Sequence, residues 1–266
     1  MTQIFFKTLL ILIFAANINC FANNLSNNKN ITQFNSDEGI NLLETSKFKG
    51  DFYNLVNFYQ PQINPLYCTA ASAITILNAL NYNNIPSQKN KEIFKPLSLG
   101  GGVIKYPLYN QDNFFNKDTD KIKNINIINL KIPKKIIKDK PLYDAGLTLA
   151  ELSTILSDIY NLKVLKKHVS KSNKEHFELF KTDLKNSLND KEKYIIANFH
   201  GKKLKLKTNG HMSPIIAYNE QNNKILIMDV ALHKQKWYWA DIKKFFNSMN
   251  TKDGNNFRGY LIISKK

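Results

Sequence analysis

Apolar residues predict helices in three parts of the chain, one through an almost continuous apolar run and two through helical spacing. Residues 69–80 are almost wholly apolar or small, and their length and alanine content predict a buried helix rather than a strand. Pro86 and the asparagines before it predict where that helix ends. Thr148 and Glu151 form a capping-box signature. Helical spacing follows at Leu149, Leu152, Ile155, Leu156 and Ile159, and again at Phe177, Phe180, Leu184 and Leu188.

Short apolar runs in the second half of the chain predict strands. These runs cover residues 162–169, 194–199, 213–218, 224–230 and 258–264. The third and fourth flank a turn rich in Asn and Gln, which predicts a hairpin. Residues 239–249 predict a helix. The pattern therefore indicates an α+β fold, with a helical half, a sheet half and a cleft between them where a site is expected.

The part of the chain between these two halves is less regular. Residues 86–145 are rich in loop-forming residues, and residues 117–140 show no clear period. Residues 100–102 are three glycines without a following Lys–Ser/Thr, so they predict a turn and not a phosphate loop.

The first 22 residues have the pattern of an export signal. Lys7 is their only charge, and residues 9–16 form an apolar run too short to span a membrane comfortably. We expect cleavage after Ala22 and export to the periplasm or the medium. Lipidation of Cys20 and a retained membrane anchor are the alternatives. Residues 23–35, poor in apolar side chains, predict a disordered leader, and residues 36–266 one catalytic domain.

The composition is basic but does not indicate a nucleic-acid partner. The formal net charge is +17, yet lysines are spread along the whole chain and no nucleic-acid-binding motif is present. No Cys/His cluster has the spacing of a metal site, so we expect no cofactor. After signal cleavage we expect no stable insertion in a membrane. A homodimer is the assembly we allow for.

One cysteine remains after signal cleavage, and it opens the buried helix. A helix N-terminus favours an anion, so Cys68 is placed where its reactive thiolate form is stabilised. The alternative interpretation is a thiol that is merely buried in the core. The order Cys68, His211, Asp229 suits a nucleophile, a base and a carboxylate that orients the base.

The base must be chosen among five histidines. His211 begins a predicted strand directly after a glycine, where the backbone can approach closely. Asp229 lies in an apolar strand, so its carboxylate must be paired or lie at the end of the strand. The other four histidines lie beside lysines, at positions 168, 176, 200 and 233. Gln62, six residues before Cys68, is a candidate donor to an oxyanion.

These residues carry a resemblance to a known family. Residues 62–80, with Pro-x-Tyr-Cys followed by Ala-Ser and Leu-Asn-Ala-Leu, resemble the catalytic domain of phytochelatin synthases, which are papain-like thiol enzymes acting on glutathione. Similar segments follow in order at residues 111–116, 146–149, 210–214, 228–231 and 258–264. The resemblance extends over about residues 36–264.

The resemblance implies a papain-like fold and a role for each site residue. Cys68 would be the nucleophile, His211 the base, Asp229 its orienter, Gln62 the oxyanion donor, and Arg258 a contact of the γ-glutamyl carboxylate. Glycine would leave from glutathione and a γ-Glu-Cys thioester would form. Metal–glutathione thiolates could serve as substrates, with no metal held by the protein itself.

The chain departs from the family pattern at two places. Leu232 stands where the family often has an arginine, and the Cys-rich extension of plant members is absent. The chain thus resembles the short bacterial type, and we expect mainly hydrolysis with weak transpeptidation. The alternatives are a papain-like peptidase or amidase on another peptide, and a secreted binding protein without catalysis.

Overall fold

The computed structural model describes residues 28, 30–81 and 90–266. The helices are α1 (Asp37–Thr45), α2 (Gly50–Leu55), α3 (Cys68–Asn81), α4 (Gln111–Phe114), α5 (Thr119–Ile122), α6 (Ile125–Ile128), α7 (Leu149–Thr154), α8 (Lys174–Ser187) and α9 (Ile242–Met249). The strands are β1 (Ile31–Gln33), β2 (Asn90–Phe94), β3 (Val103–Pro107), β4 (Lys135–Ile137), β5 (Lys140–Leu142), β6 (Leu162–His168), β7 (Lys193–His200), β8 (Gly210–Asn219), β9 (Lys224–Ile227), β10 (Tyr238–Asp241), β11 (Lys252–Asp253), β12 (Asn256–Phe257) and β13 (Gly259–Lys265).

A seven-stranded sheet lies at the centre of the fold, in the order β1-β10-β9-β8-β7-β13-β6. All neighbouring strands are antiparallel. β8 and β9 form the predicted hairpin, with a register shift between Ile215 and Ala217. The pairs β2-β3, β4-β5 and β11-β12 form separate two-stranded ribbons. The fold is therefore mixed α and β with an antiparallel sheet.

The two faces of the sheet belong to two hydrophobic cores. On β7, Tyr194 and Ile196 pack in the core that contains α3, while Ile195, Ala197 and Phe199 pack in the core that contains α8 and α9. This division follows from the period of two along a strand. Both faces are covered, so β7 is apolar from Tyr194 to Ala197 and again at Phe199. Full burial of one such large side chain contributes about 1.5–3 kcal/mol.

Helix α3 lies against the sheet with most of its circumference buried. This burial explains why residues 69–80 lack an amphipathic pattern. The Ser72 hydroxyl joins the helix to the sheet, because it donates to the carbonyls of Cys68 (2.8 Å) and of Met212 on β8 (3.1 Å). The start of α3 is thus fixed beside the start of β8.

Most predicted elements are confirmed, and one helix boundary is wrong. Residues 239–241 belong to β10, which pairs with β9, and the helix begins only at Ile242. The Asp241 side chain accepts from the Lys244 N–H at 2.8 Å and caps the first turn. The predicted strand over residues 224–230 ends earlier, at Ile227. Asp229 therefore lies just beyond the strand and not inside it.

Ordered structure begins before residue 36. Residues 31–33 form β1, which pairs with β10, so the prediction of a disordered leader reaching residue 35 is wrong at this strand. Cys20, the predicted signal and Pro86 lie outside the described residues. In the part of the chain that is described, no helix has the length and apolar character needed to cross a membrane.

Candidate active site

Cys68 is the first residue of α3 and follows a tight turn. The Asn64 carbonyl accepts from the Tyr67 N–H at 3.0 Å, and the Asn64 side chain accepts from the Leu66 N–H at 2.9 Å. These bonds turn the chain directly into the helix. The thiol is a free cysteine on the wall of a cleft of about 240 Å³.

His211 is the second residue of β8, and its side chain faces the thiol. Its Nε2 is 2.9 Å from the Asp229 Oδ1 and 3.1 Å from the Ser213 Oγ. Since Nε2 is engaged by Asp229, Nδ1 is the ring nitrogen left for the hydrogen bond with Cys68. The ring is almost fully buried, with the Phe199 ring packed edge-on at 5.5 Å. The imidazole therefore has one orientation.

The Asp229 carboxylate is fully buried and fully hydrogen-bonded. Oδ1 accepts from the Ala231 N–H at 2.8 Å as well as from His211, and Oδ2 accepts from the Gln235 Nε2 at 2.5 Å. The Tyr59 hydroxyl donates to the main-chain oxygen of Asp229 at 2.9 Å. The donors to Oδ1 and Oδ2 explain how an ionised group is tolerated at the end of an apolar strand, whereas the Tyr59 bond holds only the main chain.

The three side chains shift one another's ionisation. Burial alone would raise the pKa of the Cys68 thiol, but the hydrogen bond and charge of His211, with the N–H groups of Met212 and Thr69, lower it. Burial opposes protonation of His211, yet the charge and hydrogen bond of Asp229, together with Cys68, raise its pKa to about 10. Burial likewise opposes ionisation of Asp229, and His211 lowers its pKa. The arrangement favours a thiolate–imidazolium pair near neutral pH.

Gln62 lies on the segment before α3 and is held beside Asp229. Its N–H donates to the Val230 carbonyl at 2.8 Å. The buried Gln111 side chain fixes the segment on both sides, because it accepts from the Ile63 N–H at 3.0 Å and donates to the Pro61 carbonyl at 3.0 Å. The Gln62 Nε2 donates to the Asn64 carbonyl at 2.9 Å. Gln62 is not among the described residues that line the cleft with Cys68. An amide nitrogen carries two N–H groups, and the second N–H of Gln62 is the one that the predicted oxyanion role would use.

A polar cluster lies on the wall of the same cleft. The Arg258 Nη1 donates to the Asn198 Oδ1 at 2.7 Å and pairs with the Asp253 Oδ2 at 3.2 Å, while the Asn198 Nδ2 donates to the same carboxylate oxygen at 2.7 Å. A Cβ at position 210 would lie 2.7 Å from the Arg258 Nη2, so a glycine there allows the guanidinium to lie against β8. Arg258 also experiences the charge of Cys68.

The other four histidines make different contacts. His168 and His176 are exposed and contact main-chain carbonyls, and His233 is exposed after the β9 strand. His200 is at the end of β7, where burial and then the charge of Arg258 lower its pKa. Of the histidines within residues 28, 30–81 and 90–266, only His211 forms a hydrogen bond with Cys68.

Sequence reasoning did not single out Asn198, Asp253 or Gln235. Asn198 had a usable signal, since a polar residue in the middle of an apolar strand needs partners. Asp253 precedes a glycine in a turn, which is an ordinary turn pattern. Gln235 had no signal at all. Among the described residues, no group of three or more His, Cys, Asp and Glu side chains could hold a metal ion.

A thiol at a helix start, an imidazole and a carboxylate in hydrogen-bonding sequence define the class of thiol-dependent acyl-transfer sites. The sequence model of the family described as phytochelatin synthase matches residues 22–260 of this chain. The chain belongs to the phytochelatin synthase family, and the resemblance seen in the sequence is confirmed.

Curated relatives support the same family. The chain is 25% identical over 237 residues to glutathione gamma-glutamylcysteinyltransferase 1 of Arabidopsis thaliana, with 87% of this chain and 41% of the relative covered. It is 28% identical over 216 residues to the Lotus japonicus protein of that name, with coverage of 80% and 36%. The Schizosaccharomyces pombe glutathione gamma-glutamylcysteinyltransferase is 33% identical over 120 residues, with 44% of this chain and 28% of the relative covered. The chain thus spans less than half the length of these relatives.

Proposed function

We propose that this protein transfers the γ-glutamylcysteinyl group of glutathione through a thioester on Cys68. The observation that carries the proposal is the chain of hydrogen bonds from Cys68 to His211 to Asp229, within a chain of the phytochelatin synthase family. The named activity of the relatives supports glutathione as the donor. A papain-like arrangement of the fold is part of the proposal.

The first half-reaction releases glycine. The Cys68 thiolate attacks the carbonyl carbon of the Cys–Gly peptide bond, and the resulting oxyanion accepts from the free N–H of Gln62. His211, as imidazolium, gives its proton to the glycine nitrogen. The C–N bond breaks, glycine leaves, and γ-Glu-Cys remains on the sulfur as a thioester.

The second half-reaction frees the enzyme. His211, now neutral, takes a proton from water as the water oxygen attacks the thioester. Free γ-Glu-Cys leaves and the thiolate is restored. Alternatively, the α-amino group of a second glutathione attacks, and a peptide longer by one γ-Glu-Cys unit is formed.

The γ-glutamyl end of glutathione suits the polar cluster in the cleft. The α-carboxylate would accept from Arg258, and the α-ammonium would donate to Asp253. Both side chains lie in the lining of the cleft that contains Cys68 and His211. Asn198 contacts both of them and fixes their positions. A pair of opposite charges thus matches a zwitterion.

Hydrolysis is proposed as the main outcome. Leu232 stands at the position where the family often has an arginine, and it is half exposed. Without a guanidinium there, a second glutathione has one charged contact fewer, whereas water needs none. Metal–glutathione thiolates remain candidate substrates, with no cofactor on the protein. Export as a periplasmic or secreted protein is proposed from residues 1–22.

The decisive experiment is incubation of the protein with glutathione, followed by mass analysis of the products. We expect glycine and γ-Glu-Cys from the wild type and neither from Cys68→Ala. Turnover by Cys68→Ala at the wild-type rate would refute the thioester route. Cleavage of other peptides in preference to glutathione would favour a general peptidase, and an inert thiol in the wild type would favour a binding protein.

A further inference from the structure

We propose that Gln235 is a positioning residue for the proposed thiol chemistry: it holds the Asp229 carboxylate in place and in its ionised form, and through it the charge pair of His211 and Cys68. The inference rests on the proposed function, since it assigns a role within that site. Gln235 does not contact the thiol, and it is not among the described residues that line the cleft.

The position of Gln235 is fixed by its own turn. The segment between β9 and β10 folds back so that the Ala231 carbonyl accepts from the N–H groups of Lys234 (2.7 Å) and of Gln235 (3.1 Å). The side chain is only 6% exposed. Its amide therefore has little freedom and meets the carboxylate at Oδ2.

The hydrogen bonds of Asp229 divide unequally between its two oxygens. Oδ1 accepts from His211 and from the Ala231 N–H. Oδ2 accepts from the Gln235 Nε2 at 2.5 Å. Removal of Gln235 would take this donor from a fully buried carboxylate, which disfavours the charged form. It would also free the carboxylate to rotate away from the orientation in which Oδ1 faces the imidazole.

A neutral amide suits this position better than a charged donor. A lysine there would pair with Asp229 and reduce the negative charge that His211 experiences. A carboxyl group would compete for a proton with Asp229, since like charges this close cannot both ionise easily. The glutamine donates a hydrogen bond and leaves the full charge of Asp229 for the imidazolium.

Titratable groups of the described residues face the carboxylate from several elements. His211 faces it from β8, and Cys68 faces His211 from α3. The Tyr59 hydroxyl donates to the main-chain oxygen of Asp229, and the Tyr238 side chain on β10 faces the Asp229 carboxylate. Burial raises the pKa of both tyrosines, so both stay neutral through the working range.

Arg258, which lies between β12 and β13, experiences the charge of Cys68. The limbs of a pH profile therefore report the pair formed by Cys68 and His211. Loss of Gln235 should narrow, at both ends, the pH range over which the thiolate–imidazolium pair is present. The thiol pKa should rise and the imidazole pKa should fall.

The test compares Gln235→Met with Tyr59→Phe. The first removes the donor to the carboxylate while keeping the chain length, and the second removes one hydrogen bond to the main chain of the same residue. The rate of Cys68 alkylation by iodoacetamide is followed from about pH 5 to about pH 9, together with glycine release from glutathione. Thermal unfolding identifies any variant that is not folded.

We expect the apparent thiol pKa of Gln235→Met to rise by about one unit and its turnover to fall about tenfold, since one unit is a tenfold change in equilibrium. Tyr59→Phe should leave both limbs in place. Gln235→Glu, which is nearly isosteric, should keep more of its turnover at low pH, where the added carboxyl group is protonated and can donate.

Equal shifts in Gln235→Met and Tyr59→Phe, or unchanged limbs in both Gln235→Met and Gln235→Glu, would overturn the assignment. Alkylation needs no glutathione. A thiol shift in Gln235→Met without glutathione turnover in the wild type would thus reject the proposed function and still support the role of Gln235.

Discussion

Replacement of Arg258 by methionine tests how the cleft selects its substrate. The Arg258 side chain is 11% exposed, and its guanidinium pairs with Asp253 at 3.2 Å and donates to Asn198 at 2.7 Å. A hydrogen bond to a charged group contributes about 1.5–3 kcal/mol. Since 1.4 kcal/mol is tenfold, loss of the contact to a substrate carboxylate should lower kcat/KM for glutathione about 10- to 150-fold.

The assay should separate this contact from general damage to the site. Glycine release is measured at low substrate with glutathione and with an analogue whose γ-glutamyl α-carboxylate is replaced by an amide. The wild type should discriminate against the analogue by the factor just given. Arg258→Met should discriminate little, and Arg258→Lys, which keeps the charge but not the planar fork, should be intermediate.

One result would refute the reasoning directly. If Arg258→Met lost the same factor on both substrates, the guanidinium would not contact the carboxylate and its role would be structural. Loss of Arg258 also leaves Asp253 with one partner fewer, so thermal unfolding must show that the variant is folded before its kinetics are interpreted.

Three further predictions follow from the same structure. His211→Ala should reduce glycine release nearly as much as Cys68→Ala, because residues of one catalytic unit fail together. Asp229→Asn should reduce it less, because it only mis-orients the imidazole. Equal activity of His211→Ala and wild type would contradict this assignment. Leu232→Arg should raise the share of (γ-Glu-Cys)₂-Gly in the products, as measured by mass analysis. An unchanged share would show that an arginine at this position does not help to bind the second glutathione. Burial and then Asp190 raise the pKa of the fully buried Asp51 to about 9, so the native state keeps a proton that the unfolded chain releases above about pH 4. Stability from this group therefore falls as pH rises from about 4 to about 9, and Asp51→Asn should raise the melting temperature at pH 8 more than at pH 5.

Elements with a strong period could be predicted from the sequence. The buried helix α3 and the strands β7, β8 and β9 stand out because both faces of each are covered, which leaves long apolar runs. The partners of the thiol could also be predicted from the sequence, since a carboxylate among apolar residues is costly to bury unless it is paired. The geometry of Cys68, His211 and Asp229 agrees with that reasoning.

Other features depend on contacts that a single chain does not reveal. Trp239 has the apolar character of the helix that follows it, and only its pairing opposite Leu226 makes it part of a strand. Residues 31–33 are ordered by β10, more than 200 positions later. Gln235 becomes meaningful only through a turn that returns its amide to Asp229. Long-range pairing decides each of these cases.

The selectivity of the proposed reaction follows from paired charges and not from the net charge. The chain carries +17, but the charged side chains of the cleft are already matched, Arg258 with Asp253 and His211 with Asp229. A γ-glutamyl group brings a carboxylate and an ammonium to the first pair, so neither side chain loses a partner. A glutaryl or N-acetylated analogue would lack the ammonium, so Asp253 would gain no new donor from the substrate. In the proposed complex such an analogue makes one charged contact fewer than glutathione does, a difference that a basic surface alone would not detect.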